Sequence, residues 1–154
     1  MTHSNINALT APYGAFLLRV SLGVMFIAHS VLLKYFTFTL AGTAQFFESI
    51  GYPGFLAYVV FAAEALGGIA LVLGFQTRLV SFALVPILIG ALMVHLPNGW
   101  VFSAQGGGWE YPAFLIVLAM VQGLLGGGAF ALSRNELPLP LLSAAAGGLA
   151  THRG

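Results

Sequence analysis

Two groups of side chains have the types and spacing to do chemistry. The first centres on a single carboxylate, Glu64, inside the apolar run VVFAAEALGGIALVLG at residues 59–74. A carboxylate deep in a bilayer is expensive unless it is paired or neutralised, so Glu64 asks for a cation or a donor from another segment. Gly67 and Gly68 follow at i+3 and i+4, on the same helix face, where small residues let a partner helix come close. Arg19 and Gln122, each inside an apolar run of its own, are the candidate suppliers. The second group is His29, His95, Trp109 and Glu110, with Lys34 and Glu48 nearby in sequence, all close to the ends of apolar runs. Imidazoles and carboxylates gathered at one mouth of a bundle suit the binding of a polar head group and the movement of protons. No H-x-x-H, H-E-x-x-H or cysteine cluster is present, so no metal is expected.

The elements that must position these residues are membrane helices. The chain has 154 residues, 59% hydrophobic and 6% charged, with a mean hydropathy of +0.97. A soluble domain carries about 25% charged residues, so this composition cannot cover a water-facing surface. The reading is an all-α integral membrane four-helix bundle, since the length allows four spans of about 20 residues and little else. A net charge of +1 without a basic run excludes nucleic acid as a partner. The absence of cysteine excludes disulfides, thiolate metal sites and dithiol chemistry carried by this chain.

In order, residues 1–12 read as a polar arm, 13–134 as the four-span domain and 135–154 as a flexible tail rich in Pro, Ala and Gly. The arm has no Lys or Arg and is not read as a secretory signal. Pro12 suits a helix start. Spans are predicted at residues 13–33, 53–74, 79–96 and 111–131, with Pro86 kinking the third. Phe46, Phe47 and Ile50 at helical spacing predict a short interfacial amphipathic helix between spans one and two, stopped by Gly51 and Pro53. Residues 75–78 are a tight reversal, and Trp100 and Trp109 belong to an aromatic belt. Arg78, Arg134 and Arg153 fall on one side and Lys34 on the other. That bias places both termini in the cytoplasm, in an inner (plasma) membrane.

Counting depth along alternating spans sets Glu64 and Gln122 each about eleven residues from the outer side, with Arg19 about one helical turn away. This predicts a mid-membrane Arg19–Glu64 pair with Gln122 beside it. Lys34, near a span end, is read as snorkelling to the interface. His29, His95, Trp109 and Glu110 are read as an outer mouth.

Several of these stretches form an ordered set. They are Arg19-Val-Ser-Leu-Gly23, Phe26-Ile-Ala-His29, Lys34, Phe46-Phe47 and Gly51-Tyr-Pro53, then Glu64 with Gly67-Gly68, the Leu-Gly-Phe-Gln-Thr-Arg turn ending at Arg78, Trp109-Glu110-Tyr111 and the close at Ser133. This set resembles DoxX-family membrane proteins over residues 14–134. Ser30 departs from the glycine frequent in that family, and Ser133-Arg134 replaces its usual ending. The resemblance implies a four-helix membrane bundle. One type of member is a subunit of a thiosulfate:quinone oxidoreductase, and others are associated with quinone, catechol or thiol stress.

The expected function is that of a quinone-interacting redox or stress-protection subunit. His29, His95, Trp109, Glu110 and Gln122 would contact the quinone, and Glu64, Arg19, His29, His95 and Glu110 would carry the chemistry. One alternative is a non-catalytic membrane anchor or assembly partner of other subunits or of further copies of the chain. A lesser one is a small haem protein with His29 and His95 as axial ligands.

Overall fold

The computed structural model describes residues 3–133; the C-terminal tail, with Arg134 and Arg153, lies outside the described residues. Within them the fold is all-helical, with five α-helices and no strand. Helix α1 (His3–Ile27) continues directly into a ten-residue π-helix, Ala28–Thr37. Helices α2 (Leu40–Ser49), α3 (Phe55–Leu73), α4 (Thr77–His95) and α5 (Glu110–Leu125) follow. Three segments are long and apolar enough to cross a membrane: Ala8–Thr37, Phe55–Leu73 and Thr77–Asn98. Helix α5 is apolar but shorter.

Several boundaries differ from the sequence reading for local reasons. The first helix starts before Pro12 and runs through it; the carbonyl of Pro12 accepts from the N–H of Ala129, so the C-terminal loop braces that turn. Helix α5 stops at Leu125 and not near residue 131, because Gly126 and Gly128 take positive φ. Helix α2 forms where amphipathicity predicted it: the Thr39 hydroxyl accepts from the N–H of Gly42 as an N-cap, and Gly51 with φ +87° ends it.

Helix α1 packs on α3 and α4 packs on α5, while α3 joins the two pairs and α1 touches α5 only lightly. Leu22, Phe26, Leu71, Leu84, Leu88, Leu115 and Ala119 form the shared core. The α1–α3 contact is glycine on glycine. A Cβ built on Gly68 would lie 2.8 Å from the carbonyl oxygen of Gly23, and one on Gly23 would lie 2.8 Å from that of Gly68. Gly67 faces the other way, onto Leu84 of α4. The paired glycines fix an antiparallel register in which Glu64 stands about level with Ile27.

This contact yields the first prediction. Gly68→Ala has no room at backbone distance and is expected to lower stability by about 1–3 kcal/mol. Gly14→Ala, on an exposed turn of α1 with nothing within 4 Å, is expected to be neutral or to gain up to about 1 kcal/mol. Thermal unfolding in detergent measures both, and equal behaviour of the two variants contradicts the glycine contact.

Candidate functional site

The alternating helices give the molecule two polar ends. At one, the start of α1, the α3–α4 turn and the end of α5 meet; here the N–H groups of Leu132 and Ser133 donate to the carbonyls of Leu73 and Gly74. At the other, the π-helix, α2 and the adjoining ends of α3, α4 and α5 surround a cavity of about 440 Å³, inside the range of roughly 300–1,000 Å³ usual for small-molecule sites.

The cavity is walled by every main element. Helix α2 roofs it with Phe46, Phe47 and Ile50, and α4 lines it with Pro86, Ile87, Gly90, Ala91, Val94 and His95. These α4 positions recur at i, i+4 and i+8, so one face of that helix looks inward. Small side chains at Gly90 and Ala91 keep that face low. The polar groups in this apolar chamber are His29, Lys34, Glu64, His95, Tyr111 and Tyr52.

Glu64 is buried and its partner is Lys34. Nζ lies 2.6 Å from Oε2, with side-chain exposures of 17% for Lys34 and 8% for Glu64. The expected Arg19–Glu64 pair is therefore corrected. In the glycine-set register Arg19 sits about eight residues, or ~12 Å, below the level of Glu64. Helical side chains also lean toward their own N-terminus. That lean carries Arg19 away from Glu64 and brings Lys34 back down to it. Lys34 thus turns inward and does not snorkel outward. The π-helix presents it, closed by wide-turn bonds such as the Phe38 N–H to the Leu33 carbonyl at 2.8 Å. Long π-helices are rare and are often found at functional sites. Ser30, fully buried at the α-to-π junction, donates its hydroxyl to the carbonyls of Phe26 and Ile27 at 2.8 and 3.1 Å.

Both imidazoles are oriented by backbone. His29 Nδ1 is 3.0 Å from the Met25 carbonyl, and His95 Nδ1 is 3.1 and 3.0 Å from those of Gly106 and Gly107. A carbonyl only accepts, so each Nδ1 carries the proton and Nε2 is left as the basic nitrogen. The His29 ring also stacks on Tyr111, with centroids 6.0 Å apart and planes 22° apart.

The remaining candidates lie elsewhere. Glu110 borders the mouth but does not line the cavity; its Oε1 accepts from the N–H of Phe102 at 2.8 Å and pins the loop. Trp109 packs edge-on to Trp100, with centroids 4.4 Å apart. Arg19 and Gln122, both fully buried, belong to the opposite end. Arg19 donates from Nη2 to the Ala129 carbonyl at 3.2 Å and covers the Phe16 ring. Gln122 donates from Nε2 to the Gly126 carbonyl at 2.7 Å. The cavity residues that sequence reasoning missed are Tyr111 and Tyr52, together with the inward role of Lys34. The lean of helical side chains was the available signal for Lys34. For Tyr111 it was a place one residue after the Trp109-Glu110 pair. No group of three His, Cys, Asp or Glu side chains able to hold a metal ion occurs among the described residues.

A double-mutant cycle checks the ion pair. Removing one partner of a buried pair leaves an uncompensated charge and costs about 3–5 kcal/mol when burial is complete. Lys34→Met and Glu64→Leu should each be strongly destabilising and the double variant milder than either. Arg19→Leu combined with Glu64→Leu should be additive. A non-additive Arg19 cycle with an additive Lys34 cycle contradicts the pairing seen here.

Set beside known proteins, the chain matches the DoxX family model over residues 14–96. It is 44% identical over 80 residues to a Bacillus subtilis (strain 168) protein named "Putative oxidoreductase CatD", which covers 52% of this chain and 58% of that one. The chain thus matches a little over half the length of that relative. No solved structure matches it.

Proposed function

Because the chain belongs to the DoxX family of membrane proteins, we propose that its cavity binds a lipid-soluble quinone and that the protein serves as a quinone-linked redox or stress-protection subunit. The observation that supports this most is the make-up of the chamber: apolar walls from Phe46, Phe47, Pro86 and Leu115, with two oriented imidazoles, two phenols and an ion pair among them. A quinone ring needs an apolar slot and hydrogen-bond donors at its two carbonyl oxygens. Reduction to the quinol takes two electrons and two protons. In this reading Tyr111 donates at the oxygens, and each imidazole takes up a proton on its basic Nε2 from the Lys34–Glu64 pair and passes it to the quinone. Electrons come from a separate reductant, a thiol or a partner subunit, since this chain has no cysteine to cycle. The name of the Bacillus subtilis relative, an oxidoreductase by its wording, agrees with this reading.

Three finer points belong to the same proposal. Helix α5 acts as a fourth span, because it packs along α4, although its 16 residues reach only about 24 Å at 1.5 Å per residue. Helix α2, with Phe46 half exposed, lies at the membrane interface as a roof. The turn end, which holds Arg19 and Arg78, faces the cytoplasm in an inner membrane.

Two measurements test these points. In a quinone-reduction assay on reconstituted protein, His29→Ala and His95→Ala should fold and insert normally yet lose about 10²–10⁴-fold in rate if the imidazoles act as proton donors, whereas Glu110→Gln, which does not line the cavity, should stay within a few-fold of wild type. Wild-type rates in both histidine variants reject the proposal, and a Soret band lost in both would assign the imidazoles to a haem. For orientation, the lack of native cysteine allows clean labelling: Gln105→Cys should react with an impermeant maleimide from outside the cell and Phe75→Cys should not. The reverse pattern inverts the orientation.

A further inference from the structure

A second concavity lies on the outer surface of α5, beside the mouth. It measures about 510 Å³ and is lined by Trp100, Phe102, Glu110, Tyr111, Ala113, Phe114 and Val117. Its four aromatic side chains are all exposed, Phe102 by 66% and Phe114 by 60%. Single exposed aromatics are ordinary at a membrane interface. A braced concave set is not. Trp100 is held edge-on by Trp109, and the backbone of Phe102 is pinned by Glu110. Tyr111, Phe114 and Val117 form a stripe at i, i+3 and i+6 on α5, while Pro112 and Leu115 on the same two turns face the inner cavity.

One residue lines both spaces. Tyr111 belongs to the outer groove and to the inner cavity, with its ring stacked on His29. A single aromatic side chain is thus the partition between a groove open to lipid and a chamber with hydrogen-bond donors. We propose that the outer groove is an antechamber for the same ligand, in which the flat ring of a lipid-soluble quinone rests against Trp100, Phe102 and Phe114 before it passes Tyr111. The inference rests on the quinone reading of the inner cavity. The two spaces are of similar volume, about 510 and 440 Å³. An acyl chain gains apolar burial from these walls, and a flat quinone ring adds stacking on their faces. Arrival from the side also suits a ligand that lives in the bilayer and never enters water.

The experiment uses the chain's two tryptophans, Trp100 and Trp109. In a Trp109→Phe background Trp100 is the sole tryptophan, excited selectively at 295 nm, and it sits in the groove wall. Protein in lipid nanodiscs is titrated with a decyl-substituted benzoquinone, and with decanol as a control of equal tail. Trp100 emission should be quenched saturably by the quinone and not by decanol. The saturable part should vanish in Phe114→Ala and in Phe102→Ala, whose side chains do not line the inner cavity; circular dichroism confirms their fold. It should persist in His29→Ala. In turnover, Phe114→Ala should raise KM about five-fold with kcat nearly unchanged, the pattern of a lost binding contact. Quenching that rises linearly with quinone and is equal in both groove variants is partition into bulk lipid and overturns the proposal. If the inner-cavity reading alone fails, wild type shows no turnover while saturable Trp100 quenching remains; if the antechamber alone fails, turnover is normal and the quenching is absent.

Discussion

The Lys34–Glu64 ion pair is the constraint on which the arrangement of this protein depends. A carboxylate and an ammonium buried among apolar helices stabilise each other only when each meets the other. That condition fixes the angular setting of α1 against α3. The glycine-on-glycine contact of Gly23 with Gly68 fixes the distance and the register. The π-helix then completes the geometry, since it begins at Ala28, one residue past Ile27, which stands level with Glu64, and presents Lys34 to it. Ser30 answers the wide turn by bonding the carbonyls of Phe26 and Ile27. A polar pair, a glycine seam and an irregular helix are thus three parts of one solution.

The opposite end solves a different problem with arginine. Helix α5 ends in glycines that leave carbonyls without helical partners. Arg78 donates to the carbonyls of Gly123 and Leu124 at 3.1 and 2.6 Å, Gln122 to that of Gly126, and Arg19 to that of Ala129. Cations at a helix C-terminus also complement its dipole. Gly74 must be glycine here: its φ is +72°, and a Cβ would occupy the place of the Arg19 guanidinium. The polar residues at this end close the bundle, and the aromatic ring of Phe16 lies under the charge of Arg19.

Much of this was legible in the sequence, because composition and apolar run length are decided by the bilayer. The helical class, the amphipathic segment with Phe46 and Phe47, the role of Gly68 as a contact point, and the place of His29 and His95 on one cavity all follow from spacing, whereas Gly67 turns to α4 and not to the partner of Gly68. The partner of Glu64 was misread for a definite reason. Depth was counted from Cα positions, and a lysine or arginine side chain spans more than a helical turn in a direction set by the helix itself. Gln122 was misplaced because α5 begins at Glu110 and runs only to Leu125, so a residue near its C-terminus falls at the turn end and not in mid-membrane. The π-helix had no sequence signal of its own.

The two ends differ in one further respect, and it bears on function. Both gather titratable or charged side chains, and at the mouth a chamber of ligand size opens among them. Small side chains on α4 help to keep it open. Toward the turn end the inward residues of that helix include Leu84, which fills the core. Toward the mouth they give way to Gly90 and Ala91, after Pro86 has removed a backbone donor and loosened the turn. A Cβ on Gly90 would meet nothing within 4 Å. Tight packing is the default in helical interiors, so space kept open beside a buried ion pair forgoes dispersion energy that larger side chains would supply. The sequence holds that space open beside the Lys34–Glu64 pair. It is this open space that the proposed quinone site uses.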